Sequence, residues 1–263
     1  MPHNTDLLAV AQAAAAEAGA FLKYNIGNVK NIERKQGEET NLVTEIDKAS
    51  ERLIIDIVRR TYPDHDILGE ESGAHDARSE YRWIIDPLDG TTNYTHGLPF
   101  FCVTIGVEHR GEIVAGAVFD PVAGEMFTAT KGGGAFLNGL PIRVSSSAAL
   151  IESLLVTGFP YNVKENPGRV TERFVAFLPL AQGIRRLGSA ALDLAYVACG
   201  RLDGYWEVFL HPWDKAAGVL LVKEAGGTVT NFSGDERDII HDPNTLATNG
   251  RIHGAMLDVI KRT

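Results

Sequence analysis

Trp83-Ile84-Ile85-Asp86-Pro87-Leu88-Asp89-Gly90-Thr91-Thr92-Asn93 constrains the fold of this chain more than any other stretch. An apolar run meets two carboxylates three residues apart and stops in a Gly-Thr-Thr turn. Trp83, Ile84 and Ile85 read as a buried strand, because large and β-branched side chains in a row do not stay in water. Pro87 cannot donate a ladder hydrogen bond, so the strand is expected to end at or just before it. Asp86 and Asp89 then emerge together at a strand end, where α/β folds place their sites. Carboxylates that close repel and raise one another's pKa unless cations sit between them. Two readings follow: a divalent-metal site, or an Asx-type turn with solvated acids, the usual fate of Asp-Pro and Asp-Gly pairs.

A length of 263 residues suits one large domain or two intimate subdomains with an ample core. The formal net charge of −9 argues against nonspecific binding to nucleic acid or anionic membranes, which needs clustered Lys and Arg. It fits a protein that gathers acids to hold cations, and equally a solvated acidic surface. Cys102 and Cys199 lie far apart in apolar contexts and read as reduced thiols of a cytoplasmic protein. The N-terminal stretch lacks a basic region followed by an apolar one, and no run reaches the roughly 18 apolar residues of a membrane span.

Taken in order, Thr5 caps a helix running to about Asn25, with Leu7, Leu8, Ala11, Ala14, Ala15, Ala18, Phe21 and Leu22 on one face. Lys35 to Thr40 is a polar loop, either a lid or a solvated connection. Thr44-Glu45-Ile46-Asp47 opens a second helix as a capping box, with Ile46, Ala49, Leu53, Ile54, Ile57 and Val58 as its buried stripe. Capping alone accounts for Asp47. Ile67 to Ser72 extends into the pair Glu70-Glu71, whose side chains diverge, so at most one faces a site with Asp86. Strands at 100–108, 112–119 and 126–130 form a meander through a His109-Arg110-Gly111 turn, then an Asn138-Gly139 hairpin to Ile142–Val144. The Gly132–Gly134 run precedes no helix and reads as a tight β-connection. Two helices on an antiparallel meander therefore make an N-terminal α+β subdomain, residues 1–145.

Beyond the small polar stretch Ser145–Ala148, strand and helix alternate, giving a C-terminal α/β subdomain, 146–263. Pro167 to Leu180 is predicted helical. Gly188-Ser189-Ala190-Ala191 opens a helix whose free N–H groups suit an anion or a hydroxyl-rich ligand, or simply a Ser cap. Trp213-Asp214 opens the next, and helix electrostatics alone satisfies Asp214. Arg185 and Arg186 either orient acids or form surface salt pairs.

Hard carboxylates without Cys or His partners suit Mg²⁺ or Mn²⁺. Glu70, Asp86, Asp89 and Asp214 offer enough oxygens for two ions about 3.5–4 Å apart, the arrangement of phosphoryl displacement. Thr91, beside the Gly90 N–H, is placed to hold a phosphate or a water, and Asp47 to accept a proton from that hydroxyl.

Gly69-Glu70-Glu71, Asp86-Pro87-Leu88-Asp89-Gly90-Thr91-Thr92-Asn93, Arg186-Leu187-Gly188-Ser189-Ala190-Ala191-Leu192-Asp193 and Trp213-Asp214-Lys215-Ala216-Ala217-Gly218 together resemble the signature motifs of the inositol monophosphatase family, in order along the whole chain. The resemblance implies a layered α-β-α-β-α sugar-phosphatase fold, usually a homodimer. It implies two to three Mg²⁺ ions, with Mn²⁺ as a substitute, held by Glu70, Asp86, the Leu88 carbonyl, Asp89 and Asp214. Asp47 and Thr91 match the pair that activates the attacking water, aided by a further ion near Glu70. Gly90 and Thr91 match positions that meet phosphate. Gly188, Ser189, Ala190 and Glu207 match positions facing the inositol ring, with Asp214 near the ester oxygen. Inhibition by Li⁺ is a family expectation. Asn41 departs from the Asp common in relatives, outside the metal shell. The implied activity is hydrolysis of myo-inositol monophosphate. Fructose-1,6-bisphosphatase or a broad sugar and nucleotide phosphatase is the alternative, and an idle binding or regulatory protein the other class. The intact acid set argues against the last, since carboxylates that repel have no use without a cation.

Overall fold

The computed structural model describes residues 2–29, 32–34, 42–161, 163–164 and 169–263. The Lys35–Thr40 loop, Asn41 and Pro167 lie outside them. The first half runs α1 (Asn4–Asn25), β1 (Ile32–Arg34), β2 (Leu42–Thr44), α2 (Glu45–Thr61), β3 (Asp66–Gly69), β4 (Gly73–His75), β5 (Tyr81–Asp89) and α3 (Thr91–Thr95). It continues through β6 (Cys102–His109), β7 (Glu112–Asp120), β8 (Glu125–Thr130), β9 (Gly134–Leu137) and β10 (Leu140–Pro141). The second half holds β11 (Leu154–Thr157), α4 (Val170–Phe177), β12 (Gly183–Arg185), α5 (Ala190–Ala198) and β13 (Gly204–Glu207). Then come α6 (Pro212–Glu224), β14 (Thr228–Thr230), β15 (Thr245–Thr248) and α7 (His253–Arg262).

Eight strands form one sheet in the order β10-β9-β8-β7-β6-β5-β3-β4, and five form another in the order β12-β11-β13-β15-β14. Helices α1 and α2 cover the outer face of the first sheet, α5 and α6 fill the space between the sheets, and α4 and α7 back the second. The result is the α-β-α-β-α layering that the resemblance implies. Alternate residues of β5 serve different layers: Trp83 and Ile85 pack toward α1 and α2, Ile84 toward the central helices. No helix among the described residues is long and apolar enough to cross a membrane.

Several local expectations change. The first helix starts at Asn4 rather than after a Thr5 cap, with the Asp6 carboxylate accepting the His3 N–H at 3.2 Å. The first sheet is not a pure meander, because β3 runs parallel to β5. Ile142–Val144 pairs in neither sheet as a strand, the hairpin ending at Pro141. Most telling, β5 does not stop before Pro87. It continues to Asp89 across a register shift in which Asp86 faces Thr104 and Asp89 faces Cys102. Pro87 and Leu88 thus share the space of Val103, and the missing proline N–H falls inside a bulge where the ladder is already interrupted.

Helix α2 is also turned from its expected face. Ala49, Leu53 and Ile57 are only half-buried, while Asp47, Ser50 and Glu51 are buried with Ile46, Ile54 and Val58. Three polar residues at positions i, i+3 and i+4 share one helical face, and that face is directed at the bulge of β5.

Gly106 and Gly116 are cross-strand partners on β6 and β7, and they set the spacing of the central layer. A Cβ on Gly106 would lie 2.7 Å from the Ala216 Cβ, and one on Gly116 would lie 2.9 Å from the Ala217 Cα. The pair makes a flat seat for α6, and alanines fit it where larger side chains would not. Gly116→Ala is expected to cost about 1–3 kcal/mol by overpacking, read as a fall in Tm. Gly254→Ala in α7, where an added Cβ meets nothing within 4 Å, is expected to leave Tm level or raise it. Equal effects of the two substitutions would rule out close packing of α6 as the reason for the glycine pair.

Candidate active site

Two oxygens of Asp47 do two jobs. Oδ2 accepts the Thr44 N–H at 2.9 Å and the Thr44 hydroxyl at 2.5 Å, closing the capping box at the start of α2. Oδ1 lies 3.1 Å from the Thr91 hydroxyl. The same hydroxyl lies 3.1 Å from the Leu88 carbonyl, so its single proton can serve either acceptor. Asp47, Leu88 and Thr91 are all buried, at 1 %, 1 % and 7 % exposure. Burial lifts the Asp47 pKa to about 6, eased by Thr44 and raised again by the Glu70 charge. Gly90, which precedes Thr91, holds φ at +98°, and a Cβ there would press on the Phe100 and Gly188 carbonyls at 3.1 and 3.2 Å. Both the left-handed backbone and the close approach require glycine.

Asp86 sits at the bulge with Oδ1 accepting the Leu88 N–H at 2.9 Å. Burial pushes its pKa well up, with Glu70, Asp89 and Asp214 adding charge repulsion and Glu70 a carboxyl–carboxyl hydrogen bond. Only a protonated carboxyl can donate in such a pair. Asp89 points the other way: its Oδ2 accepts the Ser189 hydroxyl at 2.6 Å and the Ala191 N–H at 2.7 Å. Burial raises the Asp89 pKa to about 6, while those two donors pull against it. The Asp214 Oδ2 accepts the His211 N–H at 2.6 Å at the start of α6. Burial, then Glu70 and Asp89, push its pKa well up.

A cleft of about 590 Å³ is lined by Glu70, Asp89, Gly188, Ser189, Ala190, Glu207 and Asp214, with Arg186, Tyr161 and the stacked rings of His211 and Trp213 also on its walls. Asp86 adjoins it through the Glu70 hydrogen bond. Asp47, Leu88, Gly90 and Thr91 form a buried layer that does not line the cleft. Of the Glu70-Glu71 pair one faces the cleft, as their divergence predicts, while the Glu71 N–H bonds to Glu51 at 2.9 Å. The N–H groups opening α5, expected to suit a ligand anion, are met in part by the chain's own Asp89. The Ser189 hydroxyl is buried in that contact and also caps the Leu192 N–H.

Several residues of the site escape sequence reasoning. The Ser50 hydroxyl donates to the Pro87 carbonyl at 2.9 Å and steadies the bulge. Glu51, buried behind Gly69, holds the turn that carries Glu70. Asn93 donates to the Phe100 and Leu187 carbonyls, both at 2.8 Å, and ties α3 to the segment before α5. Polar residues spaced i, i+3 and i+4 on the buried side of α2 were the available signal for Ser50 and Glu51.

Among the described residues, no three carboxylate, imidazole or thiol groups already stand where they could hold a metal ion, so a cation would have to draw the acids together. The donor set nonetheless fits a hard divalent cation: it is all oxygen, and burial with the nearby Glu70 and Asp89 charges pushes the pKa values of Asp86 and Asp214 well up.

A family model described as the inositol monophosphatase family matches residues 3–262. The chain is 44% identical over 252 residues to a protein of Salmonella typhimurium LT2 named Nus factor SuhB, covering 95% of this chain and 94% of that protein. It is 44% identical over 257 residues to an inositol-1-monophosphatase of Synechocystis, covering 97% and 89%. The solved inositol monophosphatase of Anabaena (Nostoc) sp. PCC 7120 superposes with a TM-score of 0.88 at 45% identity, covering 98% of this chain and 96% of that one.

The raised carboxyl groups make stability depend on pH and on cations. Asp47 and Asp89 keep protons to about 6 and Glu207 to about 7 in the fold, against 3.8, 3.8 and 4.5 unperturbed. A folded state that binds more protons than the unfolded chain loses stability as pH rises. In EDTA, the Tm is therefore expected to fall from about pH 4 to about pH 7. His65 and His253, both lowered by burial, act in the opposite sense around 6.5. Cations and protons compete for the same oxygens, so Mg²⁺ should raise Tm more at pH 8 than at pH 5. Calorimetric scans showing an equal Mg²⁺ effect at both pH values would overturn this account.

Proposed function

The chain belongs to the inositol monophosphatase family, and from that premise we propose that it is a Mg²⁺-dependent phosphomonoesterase that hydrolyses myo-inositol monophosphate to inositol and phosphate. The observation that carries this reading is the meeting of acids from distant segments, Glu70, Asp89 and Asp214, at one cleft, with Asp47 and Thr91 hydrogen-bonded beneath it.

On this reading Glu70, Asp86, the Leu88 carbonyl, Asp89 and Asp214 would hold two to three divalent cations. When bound, such cations supply neutralisation of the phosphate charge and acidify a water. Asp89 has Oδ2 committed to Ser189 and Ala191, which leaves Oδ1 for the cleft. Thr91 orients the attacking water through its hydroxyl oxygen and passes its own proton to Asp47 Oδ1 as the water's proton arrives. With a pKa of about 6, Asp47 is ionised and able to accept it at neutral pH. Gly90 and Thr91, just behind the cleft's lining, match family positions that meet the phosphate, Gly188, Ser189, Ala190 and Glu207 face the ring, and Asp214 lies near the leaving oxygen. The Ser189 hydroxyl contributes chiefly by fixing Asp89, since it is spent there.

The same proposal includes the two halves, 1–145 and 146–263, closing on one site, a homodimer, inhibition by Li⁺ and a cytoplasmic setting. Two unbridged cysteines support the last. A second reading, a binding role beside catalysis, is favoured by the Nus factor name of the Salmonella relative. A net charge of −9 turns that reading toward a protein partner rather than nucleic acid.

Phosphate release from inositol 1-phosphate, fructose 1,6-bisphosphate and 3′-phosphoadenosine 5′-phosphate, with Mg²⁺ and with or without Li⁺, tests the activity. Inositol 1-phosphate is expected to be the best substrate. Asp214→Asn and Asp89→Asn should each lower turnover by at least about 10²-fold while the melting transition survives. Parental rates in either variant would sink the metal assignment. A binding role would survive both substitutions.

A further inference from the structure

Tyr205 and Glu207 stand two residues apart on β13 and so project from the same face of the strand. Tyr205 is fully buried, and its hydroxyl donates to Glu207 Oε2 at 2.6 Å. Gly158 closes the carboxylate in from β11's end: a Cβ placed on it would lie 2.1–2.2 Å from Oε1, Cδ and Oε2 of Glu207. The carboxylate therefore occupies the place of the missing side chain. Gly158 is itself held in position, because the Thr157 hydroxyl donates to the Trp206 carbonyl at 2.6 Å and joins the ends of β11 and β13.

Glu207 lines the cleft; burial raises its pKa to about 7, the Tyr205 hydroxyl and the Arg186 charge work against that rise, and above that pH the group is a carboxylate. An ionised carboxylate only accepts hydrogen bonds. With Oε2 taken by Tyr205, Oε1 remains for a donor in the cleft. A hydroxyl of a bound alcohol is such a donor; a phosphate dianion is not, and the negative charge repels it.

We propose that Tyr205 and Gly158 are specificity-determining positioning residues, which fix the Glu207 carboxylate so that one oxygen reads the hydroxyl groups of a polyol leaving group. The inference deepens the phosphomonoesterase reading and rests on it. Neither residue lines the cleft. Their contribution is preorganisation: a buried acceptor held in one place distinguishes a ligand that supplies the hydroxyl from one that does not, whereas a mobile carboxylate loses that distinction.

The test compares two esters with the full chain in Mg²⁺: inositol 1-phosphate, and p-nitrophenyl phosphate, whose alcohol carries no further hydroxyl. Tyr205→Phe keeps the ring and removes only the donor. It is expected to raise KM for inositol 1-phosphate about tenfold with kcat little changed, and to leave both constants for the aryl ester within about twofold. Gly158→Ala, which evicts the carboxylate from its seat, is expected to shift the same ratio further. Parallel losses on both esters, or an unmoved KM for inositol 1-phosphate in Tyr205→Phe, would falsify the inference while leaving the phosphatase reading intact. Failure of the parental chain to cleave either ester overturns both, and so is told apart.

Discussion

Asp89 joins the two halves of the molecule with a single oxygen. Its Oδ2 takes the Ser189 hydroxyl and the Ala191 N–H at the start of α5, 2.6 and 2.7 Å away, and the Cys102 thiol lies 3.8 Å off. A helix start favours an anion because its first N–H groups lack partners and its dipole is positive there. Hydrogen bonds to a charged group contribute about 1.5–3 kcal/mol each, and in a buried place their loss would leave both an orphan N–H and an uncompensated charge. The contact fixes the end of β5 against α5, which in turn packs on β13 and α6. That anchorage, with the Asn93 bond to the Leu187 carbonyl beside it, sets one side of the separation between the β5 acids and those of the second half, Glu207 and Asp214.

The second half of the placement comes from the four residues Asp214 to Ala217 in the first turns of α6. Asp214 turns to the cleft, while Ala216 and Ala217 sit on the glycine pair of β6 and β7. Lys215 faces another way again. It is completely buried, and its ammonium donates to the Asp242 carbonyl and the Thr245 hydroxyl. Burial lowers its pKa to about 8, with Asp214 working against that. A buried ammonium without such partners would be costly, so the rotation of α6 about its axis is fixed by polar contacts on one side and by close packing on the other. Small residues after Trp213-Asp214 are thus a requirement of the layer spacing as well as part of a motif.

Features governed by local chemistry were legible in the sequence. Thr44 and Asp47 form the capping box that their spacing predicts. Arg110-Gly111 and Asn138-Gly139 make two-residue hairpin turns, and Ser189 caps its helix. The Gly132–Gly134 run is the tight β-connection expected, and its N–H groups do receive an anion, the Glu224 carboxylate from α6. Features governed by distant partners were not legible. A proline normally ends a central strand, and nothing local shows that β6 tolerates a bulge opposite it. The polar face of α2 has no local signature of its role, because its partners, the Pro87 carbonyl and the Glu71 N–H, lie 37 and 20 residues away. Asp47 stands between the two cases: its first oxygen's partner is three residues away and follows from the capping pattern, whereas its second oxygen's partner, Thr91, is 44 residues off and was reached only by reading the acids and that hydroxyl together.

The raised carboxyl groups of the cleft are not all of one kind, and the difference gives the site a direction. Asp86 and Asp214 are held up by burial together with the Glu70 and Asp89 charges. Repulsion of that kind is relieved by a proton at low pH and by a shared cation at higher pH. Glu207 is raised to about 7 by burial, and the groups that ease it are the Tyr205 hydroxyl and the Arg186 charge, with Asp89 the acid that opposes them. A carboxylate already partnered by a hydroxyl and faced by a guanidinium has less need of a metal and keeps an oxygen for a neutral donor. On the proposed reading, electrostatics divides the cleft into an end suited to cations and phosphate and an end suited to hydroxyl groups. An ester of phosphate with a polyol presents both kinds of group, in that order, along one molecule.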